Sequence, residues 1–597
     1  MKTSILSIVL LLSSVYSTFA QQQYPTDRQY SVPFDNQPFF FQPSQVSPYQ
    51  MGVFSDVIGQ FSDHPLSEIN RNPANLNQLN ERSYLYADFK TLPDETLKSY
   101  YSGCVNCITP AWIITPTEEN RTIREPFLLA AYFMNPIENS GWRLGLTYQL
   151  MSMSESFYQI RSNPYTYYDN QLATGSALPS PSPYDGKRDQ YRIQGHFPSF
   201  YTGYEFSEDL SIGLKVGYNY YSGNGNHVSE NFGNISDIAI PPQANEFSRQ
   251  RDVIYSHWDF SAGINAGLSD RSTVGVSIGY LTGAFDQKGS EIYNQAYENY
   301  DLNGDDFYYT NFSDWFERGG FERNGQTLYA TADYTFGRDE NSIYRLNYRV
   351  SFSDQDFDFG SSGYRFSESE NYFENNEGEL QFWISENEQS TLNSGAGSSE
   401  LWQHRFSASY SRKLSNNFQL KSGFQINFDL DKESYTDLQQ RLNSNYTYRE
   451  EDGEPTNDQL YSSDNRTLNI TQPANYRFTG QLPIIFGRSF GQHIYAELGV
   501  MGYYRSEIRK VNQVVEYDNR YEVIENGEVE IGVNQNQYVD ELRRHHSSTM
   551  LNAFSSITFL PNDQLRIRLM TYSDRREINR ISSVDAIRFQ ISAEIGF

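Results

Sequence analysis

The chain has 597 residues, a formal net charge of −28 and only 38% hydrophobic residues, yet 16% aromatics and 47 tyrosines. So acidic a balance argues against a nucleic-acid surface, and so lean an aliphatic content argues against a large soluble core. After residue 20, no apolar run approaches the ~18 residues that a membrane helix needs.

The first element is a secretory leader. Lys2 precedes the apolar run 5–12, and Thr18-Phe19-Ala20 is a small-x-small cleavage site, so residues 1–20 are expected to be a signal peptide cut before Gln21. No Cys stands at the cut, so no lipid anchor is expected. Residues 21–81 are rich in Gln, Pro and Asn and resist regular structure. They are expected to form a periplasmic N-terminal segment, with 50–81 partly plugging the lumen enclosed by residues 82–597. Cys104 and Cys107 have no second CxxC and no nearby His. A local loop disulfide is the expectation, with a redox pair or free thiols as alternatives.

From residue 82 to 597 the pattern has period two. LSIGLKVGYNY sets Leu210, Ile212, Leu214, Val216, Tyr218 and Tyr220 opposite Ser211, Gly213, Lys215, Gly217 and Asn219. FQLKSGFQINFDL repeats it. Such alternation predicts strands with one apolar and one polar face. Aromatics such as Trp142, Trp258 and Tyr218 fall on the apolar face, and small residues crowd the polar one. Sixteen strands are predicted, from 82–90 to 585–597, with fourteen and eighteen as neighbouring solutions. Short turns (SE, SD, GRDE, LS, RSF, PN) alternate with long segments at 153–191, 222–252, 286–325, 354–400, 431–473 and 506–545. This predicts an all-β fold: a transmembrane antiparallel β-barrel with short periplasmic turns, long extracellular loops and periplasmic termini. Closure also solves the problem of backbone polar groups in lipid. The competing fold, a soluble sandwich or propeller, needs a second layer over every apolar face.

Charge is distributed unevenly. Segment 354–400 carries Asp354, Asp356, Asp358 and eight Glu against the single Arg365. A solvated outer surface is the plain account. In DLNGDD, Asp301, Asn303 and Asp305 have the oxygen spacing of a calcium loop. Asp306 replaces the Gly and Phe312 the bidentate Glu of an EF-hand, so only an irregular calcium site is admitted. No other cofactor is expected. The polar strand faces carry Arg143, Lys215, Arg345, Arg349, Arg405, Lys421, Arg566, Arg568 and Arg588, pointing into the lumen, with Asp259, Asp429, Glu497 and Glu594 as inward acids. Ion pairs bracing the barrel and a basic track for anions are the two readings. His545, His546, Ser547 and Ser548 adjoin one another, but strand neighbours face opposite ways, so no enzyme is expected.

Two stretches resemble known families. INRNPANLNQL, with Asn72-Pro73-Ala74, resembles the NPA element before the first strand of FadL-like long-chain fatty-acid transporters. The resemblance implies an outer-membrane barrel whose N-terminal segment folds inside as a hatch, passing hydrophobic substrates. Asn-Pro also initiates turns, so a plain turn at Asn72-Pro73 stands beside the hatch. The closing strand, with Phe589, Ile591, Ile595 and terminal Phe597, is similar to the insertion signal read by the bacterial barrel-assembly machinery. The chain is thus expected in the outer membrane of a Gram-negative bacterium, with lipid and that machinery as partners. Its expected function is a channel or transporter for small or amphipathic solutes, hydrophobic or anionic. The alternative is a surface binding or assembly component whose acidic loops engage a partner.

Overall fold

A computed structural model describes residues 68–69, 71–79, 83–91, 113–116, 120–134, 141–162, 184–233, 243–300, 308–339, 341–374, 380–573 and 587–597. The leader, Cys104, Cys107 and the DLNGDD triplet Asp301, Asn303 and Asp305 lie outside the described residues.

The strands are β1 (Tyr84–Thr91), β2 (Ile113–Pro116), β3 (Asn120–Met134), β4 (Trp142–Ser162), β5 (Tyr184–Ser207), β6 (Leu210–Gly233), β7 (Gln243–Ser269), β8 (Ser272–Tyr300) and β9 (Tyr308–Asp339). They continue with β10 (Ser342–Glu374), β11 (Leu380–Ser415), β12 (Phe418–Glu451), β13 (Glu454–Phe490), β14 (Ile494–Glu525), β15 (Glu528–Phe559), β16 (Leu565–Ser573) and β17 (Ile587–Gly596). β2 and β3 both pair antiparallel with β4, at Ile113↔Ser162 and Asn120↔Ser156. They are one interrupted stave, so the barrel has sixteen. β1 closes it between β17, from Tyr84↔Gly596 to Thr91↔Phe589, and β3. The chain end joins this seam: Phe597 N–H donates to Ser83 O at 3.0 Å.

The long segments depart from expectation. Segments 354–400, 431–473 and 506–545 are strand rather than loop for most of their length, and 286–325 largely so. β10 and β11 pair without a bulge from Ser342↔Arg412 to Glu374↔Leu380. Those 33 residues reach about 110 Å along the strand, far beyond a hydrocarbon core of about 30 Å. Two of the reversals explain how. Asp452 (φ 49) with Gly453 (φ 81), and Asn526 (φ 48) with Gly527 (φ 87), are two-residue turns whose positive φ at both positions matches the twist of paired strands. They join β12 to β13 and β14 to β15 directly. The barrel therefore has a turn end and a tall end.

Burial follows parity. Outside, Leu146, Leu214, Ile278, Leu328, Leu346, Leu482 and Leu498 form an exposed apolar belt. Aromatics border it: Trp142–Tyr204 (5.0 Å between ring centroids) and Tyr344–Tyr410 (4.8 Å) toward the turn end, Tyr218–Trp258 (4.8 Å) and Phe352–Trp402 (4.6 Å) toward the tall end. This is a lipid-facing band with two girdles. The next outward positions after Phe352 are Asp354, Asp356 and Asp358, all exposed, so the band stops there.

Candidate functional site

Among the described residues, the lumen holds three layers. At the turn end, Pro73–Gln78 form a short 3-10 helix packed against β4 to β7. Asn72 caps it, its Oδ1 accepting from Ala74 N–H at 3.0 Å, and Pro73 occupies the first turn, where a missing N–H costs nothing. Asn72, Ala74 and Leu76 are completely buried. The segment fits because the wall offers glycines. Gly203, Gly213 and Gly263 stand in one row across β5, β6 and β7. A Cβ on Gly213 would lie 2.3 Å from the Pro73 carbonyl carbon, and one on Gly263 would lie 1.9 Å from Asn72 Oδ1. Polar wall residues then grip the turn. Asn72 Nδ2 donates to Asn265 Oδ1 at 2.8 Å, and Asn265 Nδ2 donates to Asn75 Oδ1 at 2.7 Å. Asn77 Nδ2 donates to Ile212 O at 2.9 Å, and Ser277 Oγ donates to Arg71 O at 2.8 Å. Arg143 donates to the carbonyls of Asn77 and Leu79 and pairs with Glu205 at 2.8 Å. Asn72, Pro73 and Ala74 thus form the cap and first residues of this 3-10 helix, packed against β4 to β7.

Above the insert lies a belt of paired charge. Lys215 meets Asp259 at 2.7 Å, with both side chains fully inaccessible, and Tyr329 donates to the other Asp259 oxygen at 2.8 Å. Arg349 stacks over the Tyr329 ring at 5.0 Å. Across the lumen, Glu497 gathers Lys421 at 3.1 Å, Arg568 at 3.0 Å and Ser556 Oγ at 3.1 Å. Arg566 reaches Glu594 at 3.7 Å. Arg345 and Arg405 face inward, half-buried. Arg588 lies on β17 opposite Tyr572. Among the residues singled out in the sequence as lumen-facing and basic, Arg143, Lys215, Lys421, Arg566 and Arg568 each have a carboxylate partner. A buried cation so paired presents little net field to a passing anion.

The tall end carries a third layer that sequence parity alone did not bring together. Phe285, Phe321, Phe357, Phe359 and Tyr435 point inward just beyond the lipid band. Centroids lie 5.9 Å apart for Phe285–Phe321, 5.6 Å for Phe321–Phe357 and 6.1 Å for Phe357–Tyr435. Glycine again makes the room, because Gly397 stands between Phe357 and Tyr435 in register, where a Cβ would meet both side chains. Arg323 stacks on Phe321 and Phe357 at 5.2 and 5.0 Å, and donates to Glu433 and Gln355, each at 3.3 Å. Burial pushes the Glu433 carboxyl above its ordinary value, and the Arg323 guanidinium pulls it back in part. Beyond the rings opens a cavity of about 290 Å³ between β8 and β12.

Of the proposed insertion signal, Ile591, Ile595 and Phe597 face outward and are exposed, while Phe589 pairs in register with Thr91 on one side and Thr571 on the other. His545 and His546 pair in register with Ile508 and Glu507, and Ser506 Oγ lies 3.0 Å from His545 Nε2 on the exposed surface.

No protein-family model matches the chain, and no curated protein matches it. Among solved structures it is similar to a Pseudomonas aeruginosa FadL homologue at 12% identity, covering 94% of this chain and 99% of that one, with a TM-score of 0.31. It is also similar to the P. putida toluene transporter TodX at 11% identity, covering 89% and 94%, with a TM-score of 0.30. The siderophore receptor PirA of Acinetobacter baumannii aligns at 8% identity over 86% and 80%, with a TM-score of 0.22. Overlaps this loose carry no functional argument; the site's own geometry must supply it.

Proposed function

We propose that the protein is a bacterial outer-membrane channel for small amphipathic solutes, with its tall end outside and its termini in the periplasm. One observation carries the reading: five inward-facing rings line the lumen at the tall end, above an insert that occupies the turn end. Rings at the mouth capture solutes with an apolar face, and paired charges below keep the path polar. The insert is held by side-chain hydrogen bonds and close fit, so it is the element whose displacement opens the path. The test is solute flux into liposomes for the intact chain and for a chain lacking residues 68–79. Flux that rises on deletion supports the channel; no flux from either refutes it.

A surface-binding role has one observation in its favour. Val529, Ile531 and Val533 are strongly exposed on the outward face of the β14–β15 hairpin tip, far from the apolar belt. Replacing all three with Ser should abolish partner capture on intact cells if that reading holds, and leave flux unchanged. The closing strand supports a role in assembly. Deleting Phe597 is expected to lower the amount of barrel inserted, measured by heat-modifiable mobility of membrane fractions, without altering flux per inserted barrel.

A further inference from the structure

We propose that the tall-end cavity binds a neutral saccharide ring. The proposal deepens the channel reading by naming a solute class, and rests on it only for what happens after binding. Phe321 and Phe359 supply apolar surface, while Gln287, Asn393, Asp437 and Gln439 supply polar walls. Gly319, Gly320 and Gly360 line the cavity as well, so no side chain fills it from those positions.

The polar wall is specific in kind. Asp437 Oδ2 accepts from Gln439 Nε2 at 2.6 Å and from Asn469 Nδ2 at 3.4 Å. An ionised carboxylate only accepts, so Asp437 in the cavity wall favours a ligand that brings an O–H. Amides at Gln287, Asn393 and Gln439 both donate and accept. Among the described residues no basic side chain lines the cavity; Arg323 lies among the rings, engaged with Glu433 and Gln355.

These features discriminate between ligand classes. A carboxylate or phosphate would face Asp437 with no counter-charge. An alkyl chain would strip water from Asp437 and three amides and give nothing back. An organic cation would satisfy Asp437 but offers no acceptor to the amide N–H groups. A sugar ring meets all of it: its C–H face lies on Phe321 or Phe359, one hydroxyl donates to the Asp437 carboxylate, and others exchange hydrogen bonds with the amides. A volume of about 290 Å³ is at the small end for ligand sites, which suits one or two rings rather than a long chain.

The test is titration calorimetry on the full chain in a non-glycosidic detergent. The probes are cellobiose, maltose and lactose, with phenylacetate and phenethylamine as charged aromatic controls. At least one disaccharide should bind saturably, and Asp437→Asn and Gln439→Ala should each weaken it by about tenfold or more. Both variants are first shown to keep heat-modifiable mobility; Gln439 is exposed, so its variant preserves the test if Asp437→Asn misfolds. Silence from all three sugars overturns the proposal. So does sugar binding that both variants leave unchanged, or saturable binding of phenethylamine alone. Liposome flux is measured in parallel. Sugar binding without flux keeps the site and removes the channel; flux without sugar binding does the reverse.

Discussion

At the turn end, Gly213 of β6 faces the main chain of the insert; at the tall end, Gly395 and Gly397 of β11 face aromatic side chains. Both replace a side chain with space on the lumen wall, but what fills the space differs in stiffness. Gly213 is overlaid by the Pro73 peptide, whose atoms are tied on both sides by Asn72, Asn77 and Arg143. Gly395 is overlaid chiefly by the tip of the Phe359 ring, although the Thr436 carbonyl also lies close. The turn end is thus fixed by covalent chain and buried hydrogen bonds, and the tall end by stacked side chains that can swing.

The strongest way to break this comparison is Gly213→Leu. Its Cβ alone would overlap the Pro73 carbonyl, so the insert cannot stay where it is. We expect liposome flux to rise to the level reached by deleting residues 68–79. Flux at the level of the unchanged chain would show that the insert is not what closes the turn end.

The charge belt offers the next largest effect. Lys215→Met leaves Asp259 buried with only Tyr329 and its polar neighbours. Removing one partner of a buried pair typically costs about 3–5 kcal/mol. The expected readout is a marked fall in the urea midpoint for unfolding in bilayers, with strand content unchanged beforehand. A midpoint within error of the unchanged chain would mean that Asp259 finds water or a proton instead.

At the tall end the corresponding change is milder and depends on pH. Arg323→Met removes the guanidinium that stacks on Phe321 and Phe357 and steadies Glu433. An acid whose folded pKa is raised holds its proton more tightly folded than unfolded, so stability falls as pH rises above about 4.5, the ordinary glutamate value. Without Arg323 that carboxyl rises further. The variant should therefore lose stability between acid and neutral pH more steeply than the unchanged chain, in parallel urea titrations. Equal slopes would show that Arg323 serves the rings alone.

How much of this could be read from the chain alone varies with the range of the interaction. Alternation in LSIGLKVGYNY gave both faces of β6, because that information is local. The two-residue turns were equally local: EEDGEP and IENGEV each set Asp-Gly or Asn-Gly between alternating stretches, a hairpin signal hidden by the acidic composition around it. The ring cluster left a fainter mark. In SFSDQDFDFG, Phe352 lies on the outward parity and Phe357 and Phe359 on the other, so the aromatic side switches where the band ends. What no local pattern contains is register. The glycine row exists only once Gly203, Gly213 and Gly263 are paired, and Lys215 finds Asp259 only because Gly217 stands opposite Asp259 on the next strand.

The smallest expected effect completes the contrast. On β12, Arg449 pairs with Glu451 at 2.9 Å, but the side chains are 49% and 38% exposed. The distance is nearly that of Lys215–Asp259, where both are 0% exposed. Water and salt screen the exposed pair, and holding two long side chains together costs rotamer freedom, so its net worth is about 0–1 kcal/mol. Glu451→Gln should leave the urea midpoint almost unmoved, and what little shift occurs should vanish in high salt. A shift comparable with that of Lys215→Met would mean that the outer strands share the cooperative unfolding of the membrane band. They would then be a rigid continuation of the barrel, and the tall-end rings would not be free to swing.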